Sequence, residues 1–192
     1  MSELPLIAVT DSATCPRPLA EQIERLAKLT KLRPQAVILR AKSLDKAAYR
    51  KLALQAQQSC EAAGIPLILH SDWQLAHELG ISKLHLPLAL LRQLPTYERA
   101  HFTWLSTSVH SVDEAIEAQA LGATVLIAGH IYTTQCKAGL APRGLGFLQA
   151  VCSAVRLPVY AIGGIGFDAV QHAELQANGA RGACVMSAYM RL

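Results

Sequence analysis

Short apolar runs alternate with amphipathic segments along the entire chain. Each run has the length of a buried strand, and the segments between the runs carry apolar residues at the spacing of a helix. Eight strand–helix units in succession predict an α/β fold, a compact (β/α)8 TIM barrel with reduced terminal helices. The predicted strands are Leu6–Thr10, Ala36–Arg40, Pro66–His70, Lys83–Leu86, Phe102–Thr107, Thr124–Ala128, Pro158–Ile162 and Gly182–Met186.

The chain length restricts how this barrel can be built. With 192 residues the chain is near the lower limit of the architecture, which typically needs about 200 or more. We therefore expect a single barrel domain over residues 1–192, with short loops. An open, doubly wound sheet is the alternative fold, but the first strand–helix turn, Thr10–Ala13, lacks the glycines of a dinucleotide-binding fingerprint.

Three helices have recognisable boundaries. Apolar spacing predicts the first helix over Leu19–Leu32. Either Ser43 or Asp45 is expected to cap the second helix, which Gly64 ends. The segment Ser111–Glu114 has the form of a capping box, in which the serine hydroxyl accepts from the glutamate amide and the glutamate carboxylate accepts from the amide of the cap residue.

Composition excludes several classes of protein. Hydrophobic residues make up 52% of the chain and charged residues 17%, which argues against disorder. The formal charge of +4 suits a small anionic ligand, and with 5% aromatic residues and no basic tract no nucleic-acid partner is expected. No apolar segment approaches the roughly 18 residues of a membrane span, and the N-terminus lacks the pattern of a signal peptide. We therefore expect a cytoplasmic protein without a membrane partner.

The cysteines indicate reduced thiols rather than a disulfide framework. They number five, they are scattered, and no pair has C-x-x-C spacing. Cys136 lies beside the loop that carries the main candidate residues, but no partner base is visible near it in sequence. The cysteines are Cys15, Cys60, Cys136, Cys152 and Cys184.

Parallel barrels carry their chemistry where the strands end, so the residues just after each predicted strand are candidates for an anion site. Gly163 and Gly164 follow the seventh strand, and their amides can approach a phosphate closely because no side chain intervenes. Ser187, after the eighth strand, could contact the same phosphate. Arg40 and Lys42 end the second strand, where alternation directs both to one face that suits a carboxylate or phosphate. The simpler interpretation of Gly163 and Gly164 is a tight turn, and that of Arg40 and Lys42 is a solvent-exposed strand end.

His130 is the strongest candidate for acid/base chemistry among the seven histidines. It follows the sixth strand, faces the expected phosphate site, and has Lys137 and Arg143 in the loop behind it. Histidine gives and takes protons near neutral pH. No H-x-x-x-H or H-E-x-x-H spacing indicates zinc. Surface positions are expected for His77, His101 and His172, a turn position for His110, and either a structural or a site role for His70 and His85.

Together these segments resemble the thiamine phosphate synthase/TenI superfamily, and within it the TenI-type thiazole tautomerases. The specific part is Gly129–Lys137, with the pattern Gly-His-hydrophobic-aromatic-x-Thr-x-Cys-Lys, since synthases usually have Gly-Pro at its first two positions. The similarity covers nearly the whole chain. Its other matching segments are Ala8–Asp11, Leu39–Lys42, Leu84–Pro87, Ser108–Ser111, Arg143–Leu145, Ala161–Ile165 and Val185–Ser187.

Departures from the synthase pattern concern the metal ion that synthases use. Synthases carry Asn-Asp-Arg after the third strand, and its aspartate helps to bind Mg²⁺, where this chain has His70–Asp72. They carry Gly-Gln and an acidic residue after the fourth strand, where this chain has Pro87–Leu90. A glutamine expected near the end of the second strand is replaced by Ile38. Asp72, one place out of register, could replace one metal ligand but not two, so no metal site is expected.

The resemblance therefore implies a thiazole tautomerase, an isomerase of thiamine biosynthesis that acts on the carboxylated thiazole phosphate released by thiazole synthase. His130 would carry the proton whose movement aromatises the ring, and no organic or metal cofactor is needed. Relatives are commonly dimers, so a homodimer is expected, with thiazole synthase as a candidate partner. The implied ligand contacts are Gly163, Gly164 and Ser187 to the phosphate, Arg40 and Lys42 to the carboxylate, and Lys137 as a further cation.

Two alternatives remain open from the sequence. The first is a thiamine phosphate synthase, which joins thiazole phosphate to pyrimidine pyrophosphate with Mg²⁺. Two carboxylates at metal-binding distance in the barrel mouth would support it. The second is a non-catalytic TenI-like regulatory or ligand-binding protein that keeps the phosphate site. No helix-turn-helix or basic recognition helix indicates direct binding to DNA.

Overall fold

Eight parallel strands form one closed barrel in chain order, so the prediction of a TIM barrel is confirmed. The computed structural model describes residues 4–137 and 139–192, without the side chain of Cys136, so the question of that thiol lies outside the described residues. β1 pairs with both β2 and β8, which closes the ring. The strands are β1 Leu6–Val9, β2 Ala36–Leu39, β3 Leu67–His70, β4 Lys83–Pro87, β5 Trp104–Val109, β6 Val125–Gly129, β7 Val159–Ile162 and β8 Gly182–Val185.

Helices follow the strands around the outside of the barrel. The final helix has four residues, as expected for a chain of this length. None of the helices within residues 4–137 and 139–192 is long and apolar enough to cross a membrane. The helices are α1 Leu19–Ala27, α2 Lys46–Ala63, α3 Trp73–Glu78, α4 Leu88–Gln93, α5 Thr96–Arg99, α6 Val112–Ala120, α7 Gly144–Ala154, α8 Ala169–Ala177 and α9 Ser187–Met190, with a 3-10 turn at Gln135–Lys137.

Alternating residues of most strands fill two separate hydrophobic layers. One set, which includes Ile7, Ile38 and Ile127, forms a buried cluster inside the barrel. The intervening residues, such as Ala8 and Leu39, pack against the helices. Both faces of β1, β2 and β6 are therefore buried, which explains why these strands are continuous apolar runs in the sequence, whereas β4 and β5 carry buried polar residues.

Two predicted boundaries were wrong. The first helix ends at Ala27 instead of Leu32, because the chain turns there towards β2, and Leu32 is exposed with a φ of 59°. The fifth strand runs over Trp104–Val109, two residues later than predicted. Its start is set by pairing of Trp104 with Lys83 of β4, while Phe102 packs in the hydrophobic layer between the barrel and the helices.

Side-chain caps begin two of the predicted helices. Asp45, not Ser43, caps α2, and its carboxylate accepts from the amide of Ala48 at 2.8 Å. The hydroxyl of Ser111 accepts from the Glu114 amide at 3.0 Å, as predicted for α6. The Glu114 carboxylate, however, accepts from the amide of His110 at 2.6 Å, one residue before the cap. This bond anchors the backbone of His110 at the end of β5.

We expect Asp45→Ala to lower the free energy of unfolding by about 1 kcal/mol, because the first turn of α2 loses its side-chain acceptor. Asp45→Asn should remain close to wild type, since asparagine is an equally good cap. Urea-induced unfolding followed by circular dichroism would measure both. Equal destabilisation by the two substitutions would contradict a role for this hydrogen bond.

Candidate active site

The carboxyl-terminal ends of the strands surround an open cavity of about 720 Å³. Interior alternation continues beyond the strands, so the residues that follow Ile38 at two-residue steps point into this cavity. The structure places all seven sequence-predicted site residues in its lining. They are Arg40, Lys42, His130, Lys137, Gly163, Gly164 and Ser187.

The ends of β6 and β7 fit together through glycines. A Cβ on Gly129 would lie 2.5 Å from Ile162 Cγ2, and a Cβ on Gly163 would lie 2.2 Å from His130 Cβ. Gly163 also has a φ of 102°, a conformation that L side chains rarely adopt. The Ile131 amide donates to the carbonyl of Ile162 at 2.9 Å. His130 is therefore positioned directly against the glycine turn that follows β7.

Two side chains of α8 hold this glycine turn from behind. Gln171 donates from Nε2 to the Gly164 carbonyl at 3.0 Å and accepts from the Gly166 amide at 2.9 Å. His172 Nε2 donates to the Gly166 carbonyl at 2.8 Å. His172 is half-buried, so it supports the loop and is not simply a surface residue. These three side-chain hydrogen bonds fix the shape of the turn between β7 and α8.

Arg40 is tied to the neighbouring strand. Its amide donates to the hydroxyl of Thr10, and that buried hydroxyl donates to the Arg40 carbonyl, both at 2.8 Å. The guanidinium pairs with the carboxylate of Asp11 at 2.5 Å. Arg40 is thus held rigidly at the cavity wall, but part of its charge is already neutralised.

Three other cations line the cavity without a counterion. The side chains of Lys42, Lys137 and Arg191 have no hydrogen-bond or ion-pair partner among the described residues. Arg143 lies at the rim, where its guanidinium stacks over the Phe147 ring at 5.5 Å. An excess of unpaired positive charge around an open cavity attracts a ligand with more than one negative charge.

His85 is a buried histidine at the base of the cavity. Its Nδ1 lies 3.0 Å from the hydroxyl of Ser106, and its Nε2 lies 3.0 Å from the hydroxyl of Ser108. Burial, with a smaller contribution from the neighbouring His70, lowers the pKa of His85 to about 3. His85 is therefore neutral at physiological pH and fixes the orientation of the two serines.

His70 stands beside His85, with the two ring centroids 5.3 Å apart. Its Nδ1 lies 2.6 Å from the hydroxyl of Ser71. Burial lowers the pKa of His70 to about 4, and the charges of Arg40 and Lys42 add to this effect. Both histidines therefore contribute neutral, polar surface to a mouth that already carries several positive charges.

His110 and His130 occupy the ends of adjacent strands and line the cavity together. The Nδ1 of His110 lies 2.7 Å from the carbonyl oxygen of Gly129, within the cis peptide group that leads into His130. The Nε2 of His130 lies 3.4 Å from the carbonyl of Leu140. Both rings also line the adjoining depression that contains Lys137.

No carboxylate is among the residues that line the cavity in the described ranges. Asp72 instead caps α3 and accepts from the Leu75 amide at 2.9 Å, while Asp11 pairs with Arg40. No group of three or more histidine, cysteine, aspartate or glutamate residues in the described part of the chain could hold a metal ion. The mouth thus combines histidines and cations without acidic ligands.

Two basic residues of this lining were not among the predicted site residues. His110 was expected in the turn into the capped helix; with β5 ending at Val109, it is the first residue after the strand. Arg191 lies four residues after Ser187, one turn along α9, and this helical spacing could have identified it.

We expect Gly163→Ala to lower the free energy of unfolding by on the order of 1–3 kcal/mol, because it combines a positive φ with a close approach to His130. Gly166→Ala is the matched control in the same turn, since a Cβ there meets nothing within 4 Å. Urea-induced unfolding would measure both. Similar stability of the two variants would contradict the tight fit.

The buried histidines make stability depend on pH. In unfolded chains histidine has a pKa near 6.5, so below that value the unfolded state takes up a proton that folded His85 does not bind. The free energy of unfolding should therefore fall as the pH decreases from about 6.5 towards 3. Between about pH 7 and 5.5, the contribution from His85 is about 1 kcal/mol.

The variant His85→Gln tests whether His85 causes this pH dependence. The measured quantity is the decrease in the free energy of unfolding between pH 7 and 5.5, so a different stability of the variant at pH 7 does not affect the test. Urea-induced unfolding at the two pH values should show a smaller decrease for the variant than for wild type. His101→Gln, which alters an exposed histidine, is the control and should leave the decrease unchanged. The assignment would be wrong if His85→Gln and wild type lost the same free energy.

Comparison with known proteins identifies relatives over most of the chain. A family model described as thiamine monophosphate synthase matches residues 6–189. A thiamine-phosphate synthase of Listeria monocytogenes serotype 4b is 38% identical over 157 residues, covering 79% of this chain and 72% of the relative. One of Syntrophomonas wolfei is 30% identical over 174 residues, covering 88% and 80%.

A solved structure confirms the architecture. The thiamine phosphate pyrophosphorylase of Pyrococcus furiosus superposes with a TM-score of 0.79 and covers 98% of this chain and 88% of that one. At 23% identity this likeness concerns the fold. The match of the family model and the identity to the sequence relatives go further, and they show that the chain belongs to the thiamine monophosphate synthase family.

Proposed function

We propose that the protein is a metal-independent thiazole tautomerase of thiamine biosynthesis. Its substrate would be the carboxylated thiazole phosphate, and its reaction would aromatise the ring by transfer of a proton through His130. The observation that carries this proposal is the composition of the cavity lining, which contains histidines and unpaired cations but no carboxylate within the described residues. Such a lining suits proton transfer on an anionic substrate.

The residues of the mouth do not fit the Mg²⁺ ion that synthases use. Magnesium prefers oxygen ligands, and in enzymes it is usually held by one or two carboxylates together with substrate phosphates. Asp72 serves as a helix cap and Asp11 as the partner of Arg40. Of the two segments at which synthases carry acidic ligands, His70–Asp72 has its carboxylate in the helix cap and Pro87–Leu90 has none, so we derive no step that involves the metal.

The glycine turn after β7 is the proposed phosphate site. Gly163 and Gly164 can present backbone amides without an intervening side chain, and Ser187 would add a hydroxyl from the end of the neighbouring strand β8. Arg191, on the turn of helix that follows Ser187, would supply a positive charge to the same group. Phosphate sites after the seventh and eighth strands are common in this architecture.

The opposite wall is the proposed carboxylate site. Arg40 is fixed by Thr10 and Asp11, and Lys42 has no partner in the described chain. Lys137 would add a further cation between the two ends of the substrate. A ligand anchored through both a phosphate and a carboxylate has its ring held in a defined orientation in the middle of the cavity.

His130 lies against the turn that would hold the phosphate, and it lines the same cavity as Arg40 and Lys42. Formation of the aromatic ring drives the reaction, so the protein must mainly orient the substrate and transfer one proton. A positioned acid/base typically contributes about 10²–10⁴-fold to the rate. The proposed homodimer and the partnership with thiazole synthase rest on the family resemblance, and the proposed cytoplasmic location rests on the sequence pattern.

Thiamine phosphate synthase is the second candidate, and the names of the sequence relatives favour it over the tautomerase. Relatives with 30–38% identity are named as thiamine-phosphate synthases. The barrel, the anion sites and the glycine turn would serve either activity. The carboxylate-free lining is the feature that favours the tautomerase.

Purified protein mixed with the non-aromatic carboxythiazole phosphate should convert it to the aromatic isomer, and ultraviolet absorbance would follow the conversion. We expect EDTA to have no effect and His130→Asn to reduce the rate about 10²–10⁴-fold. A wild-type rate no faster than buffer would overturn the tautomerase. Mg²⁺-dependent condensation of thiazole phosphate with pyrimidine pyrophosphate would then establish the synthase.

A further inference from the structure

We propose that His110 is a second catalytic residue and that it acts as the general base while His130 acts as the acid. This inference rests on the proposed function and extends it from one histidine to two. His110 is the first residue after β5, and His130 the first after β6. These strands are neighbours, with Val109 paired to Ala128, so the two rings occupy adjacent places in the lining of one cavity.

The hydrogen bond of His110 determines its tautomer. A carbonyl oxygen can accept but not donate, so the 2.7 Å contact with Gly129 requires the proton of the neutral ring to reside on Nδ1. Nε2 then carries the lone pair of a base. Because the Glu114 carboxylate also holds the His110 amide, at 2.6 Å, both the backbone and the ring are fixed before a substrate binds.

The other two histidines of the cavity are poor bases. Both nitrogens of His85 are hydrogen-bonded to serines, and burial lowers its pKa to about 3. His70 is bonded to Ser71 through Nδ1, and its pKa is lowered to about 4. His110 is exposed at the rim and lines both the cavity and the adjoining depression. It is therefore the partner best suited to share the reaction with His130.

The proposed step moves two protons at two carbons of the substrate. His110 Nε2 removes a proton from one carbon, and the electrons of the broken C–H bond enter the ring system. His130, protonated on both nitrogens, delivers a proton from its ring to the second carbon. The substrate gains one proton and loses one, and solvent at the open mouth restores both histidines.

The variant His110→Asn separates this catalytic role from a structural one. The asparagine amide nitrogen takes the place of Nδ1 and can still donate to Gly129, but nothing replaces Nε2. We expect the tautomerase rate to fall about 10²–10⁴-fold with unchanged thermal stability. His101→Asn is the matched control, because this exposed residue precedes the same strand at the other end of the barrel and should retain the wild-type rate.

The outcomes distinguish this inference from the proposed function. If wild type turns over and His110→Asn retains a rate within about threefold, His110 is not the base, and the tautomerase assignment stands. If wild type does not turn over, the proposed function fails and the role of His110 fails with it.

Nuclear magnetic resonance of ¹⁵N-labelled histidine tests the tautomer of His110 without an activity assay. We expect neutral His110 to carry its proton on Nδ1, and a proton on Nε2 would overturn the proposal.

Discussion

The close fit between the ends of β6 and β7 determines the geometry of the whole barrel mouth. Gly129 leaves room for Ile162, and Gly163 leaves room for the Cβ of His130, so the two strand ends approach more closely than side chains would allow. The same contact places the acid/base candidate beside the turn that would bind phosphate. Gln171 then fixes that turn from α8. Positioning of the histidine and shaping of the anion site are therefore consequences of one packing arrangement.

The positive charges that line the cavity suit an anionic ligand. Lys42, Lys137 and Arg191 lack counterions in the described chain, so a bound anion gains favourable interactions without first displacing an internal partner. The two buried histidines remain neutral, which limits the mutual repulsion of the positive groups. This arrangement explains why the lining can combine so many basic residues with a stable fold.

Much of the fold follows directly from the sequence, since strands buried on both faces appear as continuous apolar runs. The same burial explains why the seven predicted site residues converge: each follows such a run. The errors arose where tertiary pairing overrides local pattern, as in β5, whose start depends on Lys83 of β4. With β5 ending at Val109, His110 is a strand-end residue of the lining and not only part of the turn into α6. The environment of His85, enclosed by Ser106 and Ser108 from the neighbouring strand, likewise depends on contacts that a single strand does not reveal.

The segment after β3 departs from the synthase pattern by a small offset. In this chain Asp72 begins α3, and its carboxylate is directed to the Leu75 amide. The strand-end position facing the mouth is occupied by His70, which is neutral and bonded to Ser71. One place out of register with the expected synthase ligand, this chain therefore has a carboxylate that serves as a helix cap. Identity of 30–38% over the barrel is compatible with this change, because the packing that forms the mouth does not depend on which of these side chains faces it.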